Sequence, residues 1–259
     1  MASKNDKAAQ ARALAQSQIG KKERRSTIII VAASIVGIAL FAGIIYFIVS
    51  SSKVPGLSEA GAVLPAGSDD TGGIPVGSTG IVGVEVPGDD VPRVDIYEDF
   101  MCPICGQFEE INGADLDAMR EAGEISVYYH PISILDRYSA GTDYSTRSAN
   151  AVAAVADQAP EFFHAYAEAL YANQPEENTE GLTDGTLADM AVSVGVPQDV
   201  ADSLADGSFN KWVAASTDQS SQDGVQGTPT VMVNREVLDQ NDVSYFQDGT
   251  LRTYLESLN

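Results

Sequence analysis

The chain has 259 residues, with 37 acidic against 15 basic side chains and a net charge of −22. A body this acidic argues against nucleic acid and anionic lipid as its partners. The length allows one large domain or two small ones with appendages, and the two cysteines and two histidines leave zinc short of ligands unless carboxylates complete the set.

The appendages come first. Residues 1–26 form a basic tail, with Lys4, Lys7, Arg12, Lys21, Lys22, Arg24 and Arg25 against Asp6 and Glu23. Residues 27–49 carry no charge and are rich in Ile, Val, Ala and Phe. About twenty such residues cross a bilayer as a helix. The run is longer than the apolar core of a usual signal peptide, so it reads as a retained transmembrane helix, with a leader cleaved near Ser50-Ser51-Ser52 as the alternative. The basic residues before it place the N-terminus in the cytoplasm and the rest outside the cell membrane. Thirty-five of the 37 acids lie beyond the span, which agrees with that orientation. Ala33 with Gly37 and Ala39 with Gly43 would let a second membrane helix approach closely. Residues 50–79 are rich in Ser, Gly, Pro, Ala and Asp without an apolar period, and read as a flexible linker.

The domain is expected over residues 80–259. Gly80–Val86 reads as a first strand, closed by Pro87-Gly88-Asp89-Asp90. Val94, Ile96 and Tyr97 mark a second strand that runs into Cys102-Pro103-Ile104-Cys105. Pro103 suits a first helical residue, because the N–H it lacks would be unpaired there anyway. Cys102 then caps the helix, facing its free N–H groups and the positive end of its dipole. That environment favours the thiolate, which is the nucleophile. Cys105 lies three residues on, on the same helical face and within disulfide reach. The pair suits reversible dithiol–disulfide chemistry, in which Cys102 attacks a partner and Cys105 resolves the mixed disulfide. No metal site and no bound cofactor are read from the chain.

The helix is expected to reach Ala122, with Phe108, Ile111, Leu116 and Met119 inward and Gly113 a possible kink point. A third strand follows over Glu124–His130, ended or edged by Pro131. From about 140 to 225 the chain turns Ala-rich with helical period. Its apolar stripes are Ala149-Val152-Ala153-Ala156, Phe163-Tyr166-Leu170 and Leu187-Met190-Ala191-Val194, then Val200 with Leu204 and Phe209-Trp212-Val213. Four or five short helices account for them. Gly227-Thr228-Pro229-Thr230 then feeds a strand to Asn234, Arg235-Glu236 turns it into a short partner at Val237-Leu238, and Leu251, Tyr254, Leu255 and Leu258 form the apolar face of a last helix capped by Asp248 or Thr250.

A strand, a CxxC helix, a helical insert and a Gly-Thr-Pro-Thr turn before a hairpin resemble the DsbA family of thiol–disulfide oxidoreductases over roughly residues 80–259. The resemblance implies a thioredoxin-like α/β fold with a helical insertion. It implies that Pro229 is cis and lies against the active-site sulfurs, and that the backbone of Thr228 pairs with a substrate segment. Many relatives carry a buried acid six residues before the first cysteine. Ile96 stands there, with Asp95, Glu98 and Asp99 nearby, and Asp99 is the expected proton relay. Ile104 stands where the strongest oxidants of the family place a histidine, so a milder oxidant is expected. His130 and His164 are expected to be structural. The implied partners are exported proteins with cysteine pairs and a DsbB- or VKOR-like membrane reoxidant. The alternative is a thioredoxin-like accessory subunit of a larger membrane complex, such as a respiratory one.

Overall fold

The computed structural model describes residues 34–46, 57 and 62–259. The chain divides into two compact units, Met1–Lys53 and Val54–Asn259. In the first, residues 34–46 form a helix, α1. Among the described residues no helix is long and apolar enough to cross a membrane. The expected span over 27–49 lies only partly within them, and the basic tail and most of residues 50–61 lie outside.

The second unit is built on a five-stranded mixed sheet of order β1-β3-β2-β4-β5. The strands are β1 (Ile74–Val76), β2 (Arg93–Glu98), β3 (Ser126–Pro131), β4 (Thr230–Val233) and β5 (Glu236–Val237). The first strand corrects the sequence reading. Gly80–Val86 is not a strand but a turn that folds back on β1, with Val82 bridging Val76. Gly80, Gly83 and Glu85 all have positive φ, which breaks an extended run. The turn presses so close that a Cβ at Gly77 would meet the carbonyl of Val84. The expected linker therefore gives way to folded chain before residue 79: Ile74 and Val76 are fully buried.

The centre follows the expected order. β2 and β3 are parallel, and α2 (Pro103–Glu121) crosses between them. The helix runs without a break through Gly113. Pro131 ends β3, which is an interior strand rather than an edge, since β1 flanks its other side.

Both faces of the sheet are covered, so period-2 alternation sorts side chains into two interiors. Val94, Ile96, Val127, Tyr129, Val231 and Val233 join the main core with α2 and the insert. Tyr97, Ile132, Val225 and Met232 form a second cluster. By the same alternation Glu98 falls on the side of Val94 and Ile96, and Asp95 on the side of Tyr97.

The insert holds five α-helices: α3 (Tyr144–Gln158), α4 (Phe163–Ala172), α5 (Asp184–Ser193), α6 (Gln198–Ser203) and α7 (Asn210–Gln222). The small side chains of α3 let neighbours pack closely around it, and it is buried from Ser148 to Ala156. The chain leaves the insert into β4. Asn234 and Arg235, both at positive φ, make the tight turn to β5, one residue earlier than expected. The last helix, α8 (Thr250–Glu256), starts after Gly249, between the two expected caps. It buries Leu251 and Leu255, but Leu258 lies past its end and is exposed.

Candidate active site

Cys102 is the residue before the first turn of α2, in extended backbone conformation, with Pro103 at the first helical position. Cys105 lies one turn on, and both side chains are buried. The loop before the helix is pinned by backbone bonds, with Cys102 N–H donating to Asp99 O at 2.9 Å and Cys105 N–H to Cys102 O at 3.0 Å.

The Thr228–Pro229 bond is cis. Its loop lies on the active site, where the Cys102 thiol donates to the Thr228 carbonyl at 3.2 Å. The Tyr245 hydroxyl donates to the Pro229 carbonyl at 3.3 Å and receives a bond from Gln240. A groove lined by Gly227, Thr228, Pro229, Val237, Leu238 and Tyr245 opens beside the loop. The structure thus brings Cys102, Cys105, Thr228 and Pro229 together.

The two thiols are held at different strengths. Cys102 is lowered to about 6, by the bond from the Cys105 thiol first, against its own burial, and then by Thr228 and the N–H groups of Cys105 and Ile104. Cys105 is pushed well above its ordinary value, by burial first and then by the neighbouring Cys102. One thiolate at neutral pH beside one protonated thiol is the arrangement that attack and resolution require.

The acids near β2 divide by geometry. Asp95 turns to the far side of the sheet. It meets His130 Nε2 at 2.9 Å and Arg93 Nε at 2.8 Å, and His130 stacks on Tyr97 with ring centroids 4.1 Å apart. His130 is therefore part of a buried polar network rather than of the thiol site, and His164 sits instead at Asp117, 2.8 Å away. Asp99, the expected relay, is fully buried and raised to about 7 by that burial. Both its oxygens already accept backbone bonds, from Met101 N–H at 2.9 Å and Leu135 N–H at 3.0 Å, so it braces the turn before Cys102.

Glu98 was passed over in the sequence. It is 3 % exposed, and its Oε1 has no hydrogen-bond partner among the described residues. Its Oε2 accepts the Tyr171 hydroxyl of α4 at 3.0 Å. Burial first, then the charge of Glu109, pushes it up to about 8. Tyr171 packs on Phe100 with ring centroids 4.9 Å apart and lies within electrostatic reach of both Glu98 and Cys105. Gln174, just past α4, donates to the carbonyls of Phe100 at 3.1 Å and Cys102 at 2.8 Å. Strand alternation from Val94 and Ile96 was the signal that would have found Glu98. Gln174 has no local signal at all.

Comparison with known proteins agrees with this arrangement. The family described as thioredoxin matches residues 90–248. The serine/threonine-protein kinase PknE of Mycobacterium tuberculosis is 29 % identical over 160 residues, 59 % of this chain and 28 % of the kinase. The chain thus spans less than a third of that relative's length. Disulfide bond formation protein D of Bacillus subtilis is 26 % identical over 167 residues, 62 % of this chain and 72 % of that protein. Among solved structures, the reduced disulfide bond oxidoreductase DsbG of M. tuberculosis superposes with a TM-score of 0.59 at 27 % identity, covering 72 % of this chain and 86 % of that one. MdbA of Actinomyces oris, a thiol-disulfide oxidoreductase, reaches 0.62 at 22 % identity, covering 78 % and 97 %, a likeness of fold.

Proposed function

Since the chain belongs to the thioredoxin family and carries the fold of its DsbA-like members, we propose that it works as a thiol–disulfide oxidoreductase through Cys102 and Cys105. The observation that carries this reading is the split pair: Cys102 lowered to about 6, Cys105 raised, and the Thr228–Pro229 loop laid across them.

In the oxidising direction a substrate thiolate attacks Cys102 Sγ of the Cys102–Cys105 disulfide. The S–S bond breaks and its electron pair leaves on Cys105, which must take a proton because its thiolate is disfavoured where it lies. Glu98, protonated at neutral pH, is the proton source we assign, linked through the Tyr171 hydroxyl, which donates to Glu98 and lies within electrostatic reach of Cys105, with Asp99 bracing the turn. A second substrate thiolate then attacks the mixed disulfide, and Cys102 leaves as a stabilised thiolate. The substrate loses two electrons and the protein gains them. Run backward, Glu98 takes the Cys105 proton and the protein reduces or isomerises a disulfide. The Thr228 carbonyl beside Cys102 suits strand-like pairing with the bound segment.

The setting proposed with this chemistry is the outer side of a cell membrane. Residues 27–49 would anchor the chain, and exported proteins with cysteine pairs would be the substrates. A DsbB- or VKOR-like membrane protein would return the disulfide. The length and lack of charge of that run, and the basic residues before it, support the reading.

The test mixes the oxidised full chain with a reduced, unfolded protein containing two cysteines. Wild type forms the substrate disulfide. Cys102→Ser does not, and Cys105→Ser accumulates mixed disulfides. Oxidation by Cys102→Ser at the wild-type rate would remove the function. A reporter fused after Asn259 is active only outside the cytoplasm; cytoplasmic activity would remove the orientation.

A further inference from the structure

The cleft between α2 and α4 gathers four metal-capable side chains outside the thiol site. Glu109, Gly113 and Asp117 follow one another at successive turns of α2, and His164 and Glu168 stand one turn apart on α4. Ligand atoms of Asp117, His164 and Glu168 all lie within 4.8 Å of one another. His164 Nε2 is 2.8 Å from Asp117 Oδ2 and 3.8 Å from Glu168 Oε1. Tetrahedral bonds of about 2.0–2.2 Å would put ligand atoms roughly 3.3–3.5 Å apart. Shifts of about an ångström therefore convert the cluster into a coordination shell.

Two further observations point to a cation. Glu109 makes no hydrogen bond among the described residues, and its carboxylate lies over Gly113, where a Cβ would sit 2.6 Å from Oε1. The missing side chain at 113 is what lets the carboxylate lie in the direction of Asp117. Against these carboxylates stand Arg120 and His164, and both are already engaged by Asp117. Negative charge in a half-buried cleft without matching cations is costly.

We propose that this cleft binds one divalent transition-metal ion through Asp117, His164 and Glu168, with water in the fourth position and Glu109 near enough for its charge to support the ion. The imidazole sets the class. One nitrogen with carboxylate oxygens suits zinc and its neighbours in the first transition row, whereas calcium and magnesium prefer an all-oxygen shell. Glu109 and Glu168 also line a groove with Pro103, Gly106, Gly113 and Tyr171, which reaches the start of the active-site helix.

The experiment titrates zinc chloride into the full-length Cys102→Ser/Cys105→Ser protein, so that no thiol competes. Calorimetry is expected to give one zinc per chain, and thermal unfolding is expected to shift upward with the metal. His164→Ala and Glu168→Gln should each weaken binding at least roughly ten-fold. Glu168 is half exposed, so Glu168→Gln keeps the fold and separates ligand loss from misfolding. Absence of saturable binding, or equal affinity in Glu168→Gln and the parent, would overturn the site. Neither result bears on the thiol chemistry.

Discussion

The Cys102 thiol and the Thr228 carbonyl meet at 3.2 Å across 126 residues of sequence. The contact means that the loop after the helical insert, not only the helix Cys102 precedes, sets the character of the sulfur. The Thr228 hydroxyl is buried without a hydrogen-bond partner of its own among the described residues, and it favours the thiolate once that forms.

Thr228→Val should therefore raise the Cys102 pKa above about 6, while Thr228→Ser leaves it near the wild-type value. The thiolate absorbance of the reduced protein, followed from pH 4 to 10, reads this directly. An unchanged midpoint in Thr228→Val would take the hydroxyl out of the account.

Cys105 has a second task besides resolving the mixed disulfide, since its thiol gives the largest single push on Cys102. Cys105→Ala should raise the Cys102 midpoint further than Cys105→Ser, which keeps an O–H donor in place. Alkylation rates of the two variants at pH 6 separate them, with Cys105→Ala the slower. The linkage has a sign for stability as well. Cys102 is lowered in the folded state, so in the reduced protein its contribution is fully present above its unfolded pKa of about 9 and is lost as pH falls through about 6. The oxidised protein lacks this slope.

Glu98→Gln should slow turnover at neutral pH by roughly ten-fold or more, because the exchange of Cys105 loses its proton donor. Attack by Cys102, measured by alkylation at fixed pH, should change much less. Stability should move the other way. Between its ordinary 4.5 and about 8 the unfolded chain releases a proton that native Glu98 retains, so the native state loses stability as pH rises across that window. Glu98→Gln removes the loss, and urea unfolding at pH 5 and pH 8 should show the variant gaining on wild type at the higher pH. A variant with wild-type turnover and a wild-type pH slope would leave Glu98 without either role.

Gln174→Ala removes two hydrogen bonds that the insert makes to the turn around Cys102. A cost of about 1–2 kcal/mol is expected, since the Phe100 carbonyl loses the Gln174 amide and the Cys102 carbonyl keeps only its helix N–H donors. Hydrogen exchange should quicken at the first turn of α2 and remain as in wild type along α3. Uniform quickening would mean that Gln174 supports the whole domain and not the active-site turn.

Much of the thiol site was legible in the sequence because its causes are local. Pro103 at the helix start and Cys102 before it act over a few residues, through N–H groups that no other part of the chain needs to supply. The stripes of the insert, from Ala149 to Val213, were legible for the same reason, since a 3.6-residue period is written along one segment. The first strand was misplaced because Ile81, Val82 and Val84 look strand-like, while positive φ at Gly80, Gly83 and Glu85 turns them back on Ile74–Val76.

What the sequence by itself determined is the cysteine pair, its place at the start of a helix and the order of the secondary structure, while the cis turn at Thr228-Pro229 was implied by the family resemblance. Only the tertiary structure decided which of the two neighbouring acids keeps a free oxygen. Asp99 and Glu98 are neighbours in sequence, yet one carboxylate is filled by the N–H groups of Met101 and Leu135, and the other gives one oxygen to the Tyr171 hydroxyl and keeps the second bare. Burial and hydrogen-bond partners set how strongly each group holds its proton, and for Glu98 that partner arrives from a helix 73 residues away.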